Sequence, residues 1–140
     1  MQSGLFNTIV LGYDGSEHSE KAVDLARALA KAHNSRIVIV HAFPHVSRIV
    51  TPSQDDAHEI HDAHELAGKL AQRLKAEGLR AEPDVLEGPA AEAILNAAEA
   101  HKADLIIVGS RGLGQFKGLV IGSQSNRVVH YAKVPVLVAR

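Results

Sequence analysis

Short apolar runs alternate along the chain with stretches of helical periodicity. Three runs, TIVLG, RIVIVHA and DLIIVG, are continuously apolar, which is typical of parallel strands covered by helices on both faces. With two further runs they give five predicted strands: Asn7–Gly12, Arg36–Ala42, Ala81–Glu87, Leu105–Gly109 and Val134–Ala139. Between the strands, apolar residues recur every three or four positions and predict four helices.

The core-facing sides of these helices follow from the same periodicity. They are expected to be Ala22, Val23, Ala26, Leu29 and Ala30 in the first helix; Ile60, Ala63, Ala67, Leu70 and Leu74 in the second; Ile94, Leu95 and Ala98 in the third; and Val128, Val129 and Ala132 in the fourth. Asn34 and Gly78 are expected to end the first two helices. Pro89 is expected in the first turn of the third helix, and the fourth begins near Ser123.

Strictly alternating strands and helices predict a doubly wound α/β sheet with right-handed crossovers. No repeat or linker divides the chain, so residues 1–140 are expected to form a single domain, in which Phe43–Gln54 is the one long irregular loop. In such sheets ligands bind beyond the carboxyl ends of the strands, where the strand order reverses. The loops after the first and fourth strands are rich in turn residues and are expected to open on one crevice.

Composition narrows the function classes. The formal net charge is -1 with scattered basic residues, and only 4% of residues are aromatic, which argues against nucleic acid as a partner. The absence of cysteine excludes disulfides and thiolate metal sites. No apolar run approaches the roughly 20 residues of a membrane span, and the amino terminus lacks a signal-peptide pattern. We therefore expect a cytoplasmic protein with no membrane partner.

The segment VGSRGLGQFKGLVIGSQSNRVV, which starts at Val108, is too long for an ordinary strand-to-helix connection of about 2–6 residues. Its glycines let backbone amides approach a ligand closely. Ser123 then opens a helix, whose free N–H groups and positive dipole end favour a phosphate chain. The hydroxyls of Ser123 and Ser125 can donate to phosphate, and Arg111 can neutralise its charge. A mobile surface loop followed by an ordinary serine cap remains the alternative.

Other known site patterns are missing from the sequence. There is no G-x-x-x-x-G-K-[ST] phosphate loop, and the first turn, Gly12-Tyr13-Asp14-Gly15, is not the G-x-G-x-x-G dinucleotide fingerprint. There is also no G-x-S-x-G elbow, which disfavours a serine hydrolase.

The spacing Gly109-x2-Gly112-x9-Gly122-Ser123 matches the G-x2-G-x9-G-[S/T] signature of ATP-binding universal stress proteins. The opening segment TIVLGYDGSEHSEKAVDLA and the closing VPVLVAR also resemble that family, so the likeness covers essentially the whole chain. It implies a Rossmann-like sandwich of the adenine nucleotide α-hydrolase type, with a five-stranded parallel sheet in the order 3-2-1-4-5 and two helices on each face. The implied ligand is ATP with Mg²⁺ or Mn²⁺, and the implied role is regulation of a stress response.

The resemblance also implies roles for single residues. Gly12 would leave room for the base, the backbone around Val40 would meet the adenine, Asp14 would sit at the nucleotide, Gly109 and Gly112 would wrap the ribose and phosphate chain, and Gly122, Ser123 and Ser125 would hold phosphates. Gln124 departs from the small apolar residue usual at its position and is expected to alter the phosphate end.

Asp14 has two interpretations that do not exclude each other. A carboxylate that faced phosphates directly would be repelled, so a ligand role requires contact with ribose hydroxyls or a divalent ion. The alternative is an Asx-type turn within Asp14-Gly15-Ser16 that caps the first helix.

Histidines offer a weaker candidate site. His58, His61 and His64 recur at a spacing of three, but they fall on the polar side of the second helix, which favours a solvated face over a metal site. His41 ends the second strand and either touches the ligand or packs.

In the implied strand order Val134–Ala139 is an edge strand with an apolar sequence, which invites pairing with a second copy and predicts a homodimer. No positioned general base is visible, so ATP hydrolysis is expected to be slow at most. Two alternative functions remain: an enzyme forming adenylated intermediates, which rests only on the Asp14-Gly15-Ser16 turn, and a sensor of another adenine nucleotide such as cyclic AMP.

Overall fold

The computed structural model describes residues 5–43, 54–110 and 123–140, without the side chains of 54–56. Its strands are β1 (Thr8–Gly12), β2 (Arg36–Phe43), β3 (Arg80–Glu87), β4 (Leu105–Gly109) and β5 (Val136–Ala139). Its helices are α1 (Glu17–His33), α2 (Gln54–Ala76), α3 (Ala90–Ala100) and α4 (Ser123–Tyr131). Within the described residues, no helix is both long and apolar enough to cross a membrane.

The strands pair in parallel in the order β3-β2-β1-β4-β5, which confirms the predicted fold class and topology. Strand ends differ from the prediction by one or two residues. β5 begins at Val136 and not at Val134, because Pro135 has no N–H to offer the ladder, although its carbonyl accepts the Ile106 N–H at 3.0 Å.

Two hydrophobic cores lie on opposite faces of the sheet, which explains the continuously apolar strands. In β1, Ile9 and Leu11 join the core beneath α1 and α2, while Val10 joins the core beneath α3 and α4. Successive side chains of a strand point to opposite faces, so a strand covered on both faces needs apolar residues at every position.

The helix ends follow local chemistry, with two corrections. Asn34 ends α1 in the left-handed region at φ 56°, as predicted. Pro89 is the N-cap of α3 and not a first-turn residue, with extended ψ of 143° and no side-chain cap of its own. Val129, predicted to face the core from α4, is 42% exposed, because the short helix turns Ser125 and Val128 inward.

The end of α3 carries an unusual backbone conformation. The Ala103 N–H donates to the Ala98 carbonyl at 2.8 Å, closing a Schellman-type turn in which Lys102 has φ 54°. That position normally belongs to glycine, because a Cβ in the left-handed region crowds the following carbonyl. Lys102 is exposed, so core packing does not explain its presence.

We predict that Lys102→Gly stabilises the protein by about 1 kcal/mol, because it relieves left-handed strain. The matched control is Asn34→Gly at the end of α1, where asparagine already tolerates this conformation and the expected gain is close to zero. Urea unfolding curves of both variants check the difference. Equal midpoints for the two variants would contradict the strain argument.

Candidate functional site

A gap opens beyond the carboxyl end of β1, where the strand order reverses. The Tyr13 N–H donates to the Val40 carbonyl at 2.9 Å, so even-numbered residues of β2 turn their backbone groups toward β1. β1 ends at Gly12 while β2 continues to Phe43. The N–H and C=O of Ala42 therefore face the gap and not a neighbouring strand.

Two cavities adjoin this gap, one on each face of the sheet. The cavity on the α3 side has a volume of about 130 Å³ and is lined by Tyr13, Asp14, Val40, His41, Ala42, Ala90 and Ile94; we call it the base cavity. The cavity on the α2 side is open and measures about 660 Å³, with Leu66 and Ala63 at its floor. Asp14, His41 and Ala42 border both cavities, so they form the ridge between them.

Asp14 adopts the predicted Asx turn, because its Oδ1 accepts the Ser16 N–H at 2.9 Å. Ser16 is the N-cap residue of α1, and its hydroxyl accepts the Ser19 N–H at 3.2 Å. The turn therefore shapes the loop, while Ser16 caps the helix. Asp14 remains half-buried on the cavity walls, where a ligand role is compatible with the turn.

The histidine at the end of β2 is held in place by the backbone. The His41 Nδ1 lies 2.8 Å from the Tyr13 carbonyl, which assigns the N–H to that nitrogen because a carbonyl can only accept. This bond closes the end of β1 against β2 after the regular ladder has stopped.

Gly12 and Val40 are more restricted than the resemblance implies, and of the two only Val40 lines the base cavity. A Cβ on Gly12 would lie 2.7 Å from the Cδ1 of Ile94, so the space left by this glycine is filled by the α3 side chain. The Val40 carbonyl already accepts the Tyr13 N–H. The nearest backbone edge that the ladder leaves facing the gap is that of Ala42.

Tyr13 anchors the loop after β1 to both helices on the other face. Its hydroxyl donates to Glu20 Oε2 at 2.7 Å, and the Arg73 guanidinium donates to Glu20 Oε1 at 2.9 Å. Burial, together with the hydrogen bond to Glu20, raises the pKa of Tyr13 to about 12. Burial also acts to raise the pKa of Glu20, but the hydrogen bonds from Tyr13 and Arg73 outweigh it and lower that pKa.

On the opposite side of the gap, β4 ends against α1 at Gly109. A Cβ on this residue would lie 2.6 Å from the His18 carbonyl oxygen, a backbone atom that cannot move aside cheaply. The Ser125 hydroxyl donates to the Gly109 carbonyl at 2.6 Å and is fully buried. Gly109 is therefore required for packing, and Ser125 fastens α4 to the end of β4, so only its backbone is available for a phosphate role.

The first turn of α4 contains no acidic residue, so its positive dipole end is not neutralised from within the helix. Ser123 is exposed at this end. Gln124 turns away from it, since its Oε1 accepts the Ala91 N–H at 2.9 Å and caps α3, where Pro89 offers no side-chain cap. This tertiary cap explains the polar residue at a position where the resemblance implies a small apolar one.

Arg111, Gly112 and Gly122, together with most of the glycine-rich segment, lie outside the described residues. The two ends of that segment, Gly109 and Ser123, are described, and Ser125 and Gly109 are joined by the hydrogen bond above. The segment therefore begins and ends at the β4 side of the gap.

The histidines of α2 divide between two environments. His58 lines the α2-side cavity beside Glu59 and Asp62, a position that sequence reasoning missed, while the His61 imidazole lies 3.5 Å from the Glu65 carboxylate on the exposed face. Among the residues that the structure describes, no group of three or more histidine and acidic side chains is arranged to hold a metal ion. The acidic side chains of Glu59 and Asp62 disfavour an anion on the α2 side of the gap.

Three lining residues were missed from the sequence: Ala42, Ala90 and Ile94. Ala42 could have been found from strand parity once β1 was known to be the shorter strand. Ala90 and Ile94 read as ordinary helix residues, and only the packing of α3 over Gly12 brings them to the cavity.

Comparison with known proteins agrees with this architecture. The universal stress protein family model matches residues 5–140. A Thermus aquaticus protein named universal stress protein in QAH/OAS sulfhydrylase 3′ region is 41% identical over 144 residues, covering 97% of this chain and 100% of that protein.

Solved structures show the same fold. Universal stress protein UspA from Lactobacillus plantarum superposes with a TM-score of 0.81 at 22% identity, covering 96% of this chain and 97% of that one. A universal stress protein in complex with cAMP superposes with a TM-score of 0.78 at 28% identity, covering 98% of this chain and 99% of that one.

The raised pKa of Tyr13 predicts that the folded protein loses stability at alkaline pH. The unfolded chain releases the Tyr13 phenol proton near the ordinary pKa of 10 and the folded chain near 12. The stability that the protonated phenol contributes is therefore intact below pH 10 and is lost as the pH rises to 12. The chain has two tyrosines, so Tyr131→Phe leaves Tyr13 as the sole phenol, whose titration is read by phenolate absorbance. Glu20→Gln should lower the midpoint, and a midpoint near 10 in Tyr131→Phe would refute the assignment.

Proposed function

This chain belongs to the universal stress protein family, and we propose that it binds an adenine nucleotide, with ATP as the first candidate, in the gap beyond β1. Bound nucleotide would set the state of a regulatory module in a stress response. The observation that carries the proposal is the gap itself: an exposed backbone edge at Ala42 on one side, and the Gly109 to Ser123 segment on the other.

The base belongs at the β2 side, with its inner edge in the base cavity of about 130 Å³ and the rest of the ring in the open gap. The base cavity has apolar walls from Ile94 and Ala90, and the Ala42 N–H and C=O face the gap beside it. An adenine ring presents an adjacent donor and acceptor, which pair with one N–H and one C=O of a strand edge. Val40 contributes the cavity wall next to this edge.

The ribose and phosphates then extend toward β4 and α4. Asp14, on the ridge between the cavities, is placed for ribose hydroxyls or for a Mg²⁺ or Mn²⁺ ion that travels with the nucleotide. The amides of the segment from Gly109 to Gly122, the first turn of α4 at Ser123 and the Arg111 side chain are the proposed phosphate ligands. The acidic residues Glu59 and Asp62 oppose the reverse orientation.

Hydrolysis would be slow in this arrangement. Asp14 and His41 line the base cavity and lie at the base end, not at the α4 end, where the terminal phosphate would sit. The His18 imidazole lies nearer that end, and its Nδ1 is within 3.5 Å of the Ser110 hydroxyl. A general base must lie within hydrogen-bond reach of the attacking water.

Cyclic AMP is the second candidate, because a structural neighbour at 28% identity is a cAMP complex. Both ligands share the adenine and ribose, so they would compete for the base cavity. The charge and length of the phosphate chain distinguish them.

We predict that calorimetric titration with ATP and Mg²⁺ shows binding, which Ala90→Phe weakens at least tenfold by filling the base cavity. The matched control is Ala100→Phe on the exposed side of the same helix, which should bind like the original protein. Competition with cyclic AMP ranks the two candidates. Absence of binding at millimolar concentration for every adenine nucleotide, or equal affinity of the two variants, refutes the site.

We also propose a homodimer through β5. The Ser110 N–H donates to the Ala139 carbonyl at 2.7 Å and the Ile106 N–H to the Pro135 carbonyl, so odd-numbered residues of this strand face β4. The backbone groups of Val136 and Val138 therefore point to the open edge, and the side chains of Val136, Leu137 and Val138 are only half-buried. An apolar edge with free backbone groups favours antiparallel pairing with a second copy.

The dimer predicts a specific effect of proline. Val138→Pro removes an outward-facing donor without removing a bond to β4, and it should convert the dimer to a monomer that retains its circular dichroism spectrum. Sedimentation at micromolar concentration reads the mass of both proteins. A monomeric original protein, or a variant that stays dimeric, contradicts the proposed interface.

A further inference from the structure

A separate cavity lies between α3 and α4, toward the end of the sheet opposite the nucleotide gap. It has a volume of about 310 Å³ and shares no lining residue with the two cavities at the gap. Its floor contains the buried residues Ala98, Ala103 and Ile106, and its mouth carries Lys102 and Lys133. We call it the lysine cavity.

The size of the lysine cavity suits a small organic molecule. Ligand pockets start at about 300 Å³, and a volume of 310 Å³ corresponds to on the order of ten water molecules at about 30 Å³ each. A compact ligand of about 10–14 non-hydrogen atoms fills such a space. A nucleoside triphosphate is too large for it.

The charge at the mouth of the cavity favours a negatively charged ligand. Lys102 and Lys133 are exposed, and within the described part of the chain neither makes an ion pair. Glu99 is the one carboxylate among the lining residues, so the lining carries net positive charge. An apolar floor beneath a cationic mouth fits an amphipathic anion.

The backbone at Lys102 adds an independent observation. This residue occupies a left-handed position at φ 54° that glycine would fill without strain, and its side chain is exposed. Strained non-glycine residues are found preferentially where a side chain has a binding role. Here the strain places an ammonium group at the mouth of the cavity.

We propose that the lysine cavity binds a monocarboxylate with a compact aromatic body. The carboxylate accepts hydrogen bonds from the ammonium groups of Lys102 and Lys133, and the rings lie on the alanine and isoleucine floor. Tyr131, a half-exposed aromatic ring at the same mouth, stacks against the ligand and favours an aromatic over an aliphatic body. The proposal does not depend on nucleotide binding.

The experiment compares 2-naphthoate with 2-naphthamide, which has the same shape without the charge. Calorimetry on the full chain should show that naphthoate binds more tightly. Lys102→Gly and Lys133→Gln should each weaken naphthoate by about threefold and together by about tenfold, with no effect on naphthamide. The matched control is Lys21→Gln on α1, outside the cavity lining, which should leave both affinities unchanged.

Lys102→Gly also separates a binding role from a structural one. It should raise the unfolding midpoint of the ligand-free protein, because it relieves backbone strain. It should also weaken naphthoate binding, because it removes an ammonium group. Ala98→Leu should abolish naphthoate binding by filling the floor, while Ala100→Leu on the exposed side of α3 should not. ATP affinity, measured in the same proteins, stays unchanged, so failure of this site is distinguishable from failure of the nucleotide site.

Three results would overturn the proposal. One is equal affinity for naphthoate and naphthamide. Another is an unchanged naphthoate affinity in the double lysine variant, or nuclear magnetic resonance shifts on naphthoate addition that fall elsewhere than at Ile106 and Ala103. The third is sedimentation showing that naphthoate binds only when a dimer dissociates, since a second copy would then be the occupant of this surface.

Discussion

The short length of β1 is the constraint on which the site depends. Its ladder to β2 stops at Gly12 and Val40, while β2 and β3 remain paired to Phe43 and Glu87. A central strand that ends early leaves the inner edges of both neighbours without a partner in the sheet. The strand order reverses at the same place, so crossovers leave in opposite directions and nothing in the sheet covers the gap.

Periodicity and turn chemistry predicted the strands, the α/β class and most helix boundaries, because burial on both sheet faces leaves a signal at every position, whereas the strand order came from the family resemblance. They did not predict the contacts of Ser125 and Gln124, whose polar side chains look like ligands in the sequence. The structure uses one as a buried fastener and the other as a cap. In a sequence, a hydroxyl or amide that binds phosphate looks the same as one that hydrogen-bonds to the backbone, so only tertiary geometry distinguishes the two roles.

The glycines show the same ambiguity. Gly12 and Gly109 belong to the segments that carry the family resemblance, and in this fold both also sit where a Cβ would strike α3 or α1. Packing alone accounts for Gly109, where the clash is with the His18 backbone, whereas at Gly12 the nearest atom is the end of the Ile94 side chain. The case for a nucleotide rests more securely on the direction of the strand edges at the gap, which glycine content does not determine.

Gln124 has a consequence for how the two sides of the gap communicate. α3 obtains its amino-terminal cap from a residue of α4, so the stability of its first turn depends on where α4 lies. Because Ala90 and Ile94 on that turn and the next form the wall of the base cavity, displacing α4 would loosen this wall from a distance. The Gln124 carboxamide thus couples the first turns of the two helices, so that loss of order in α4 would weaken the first turn of α3.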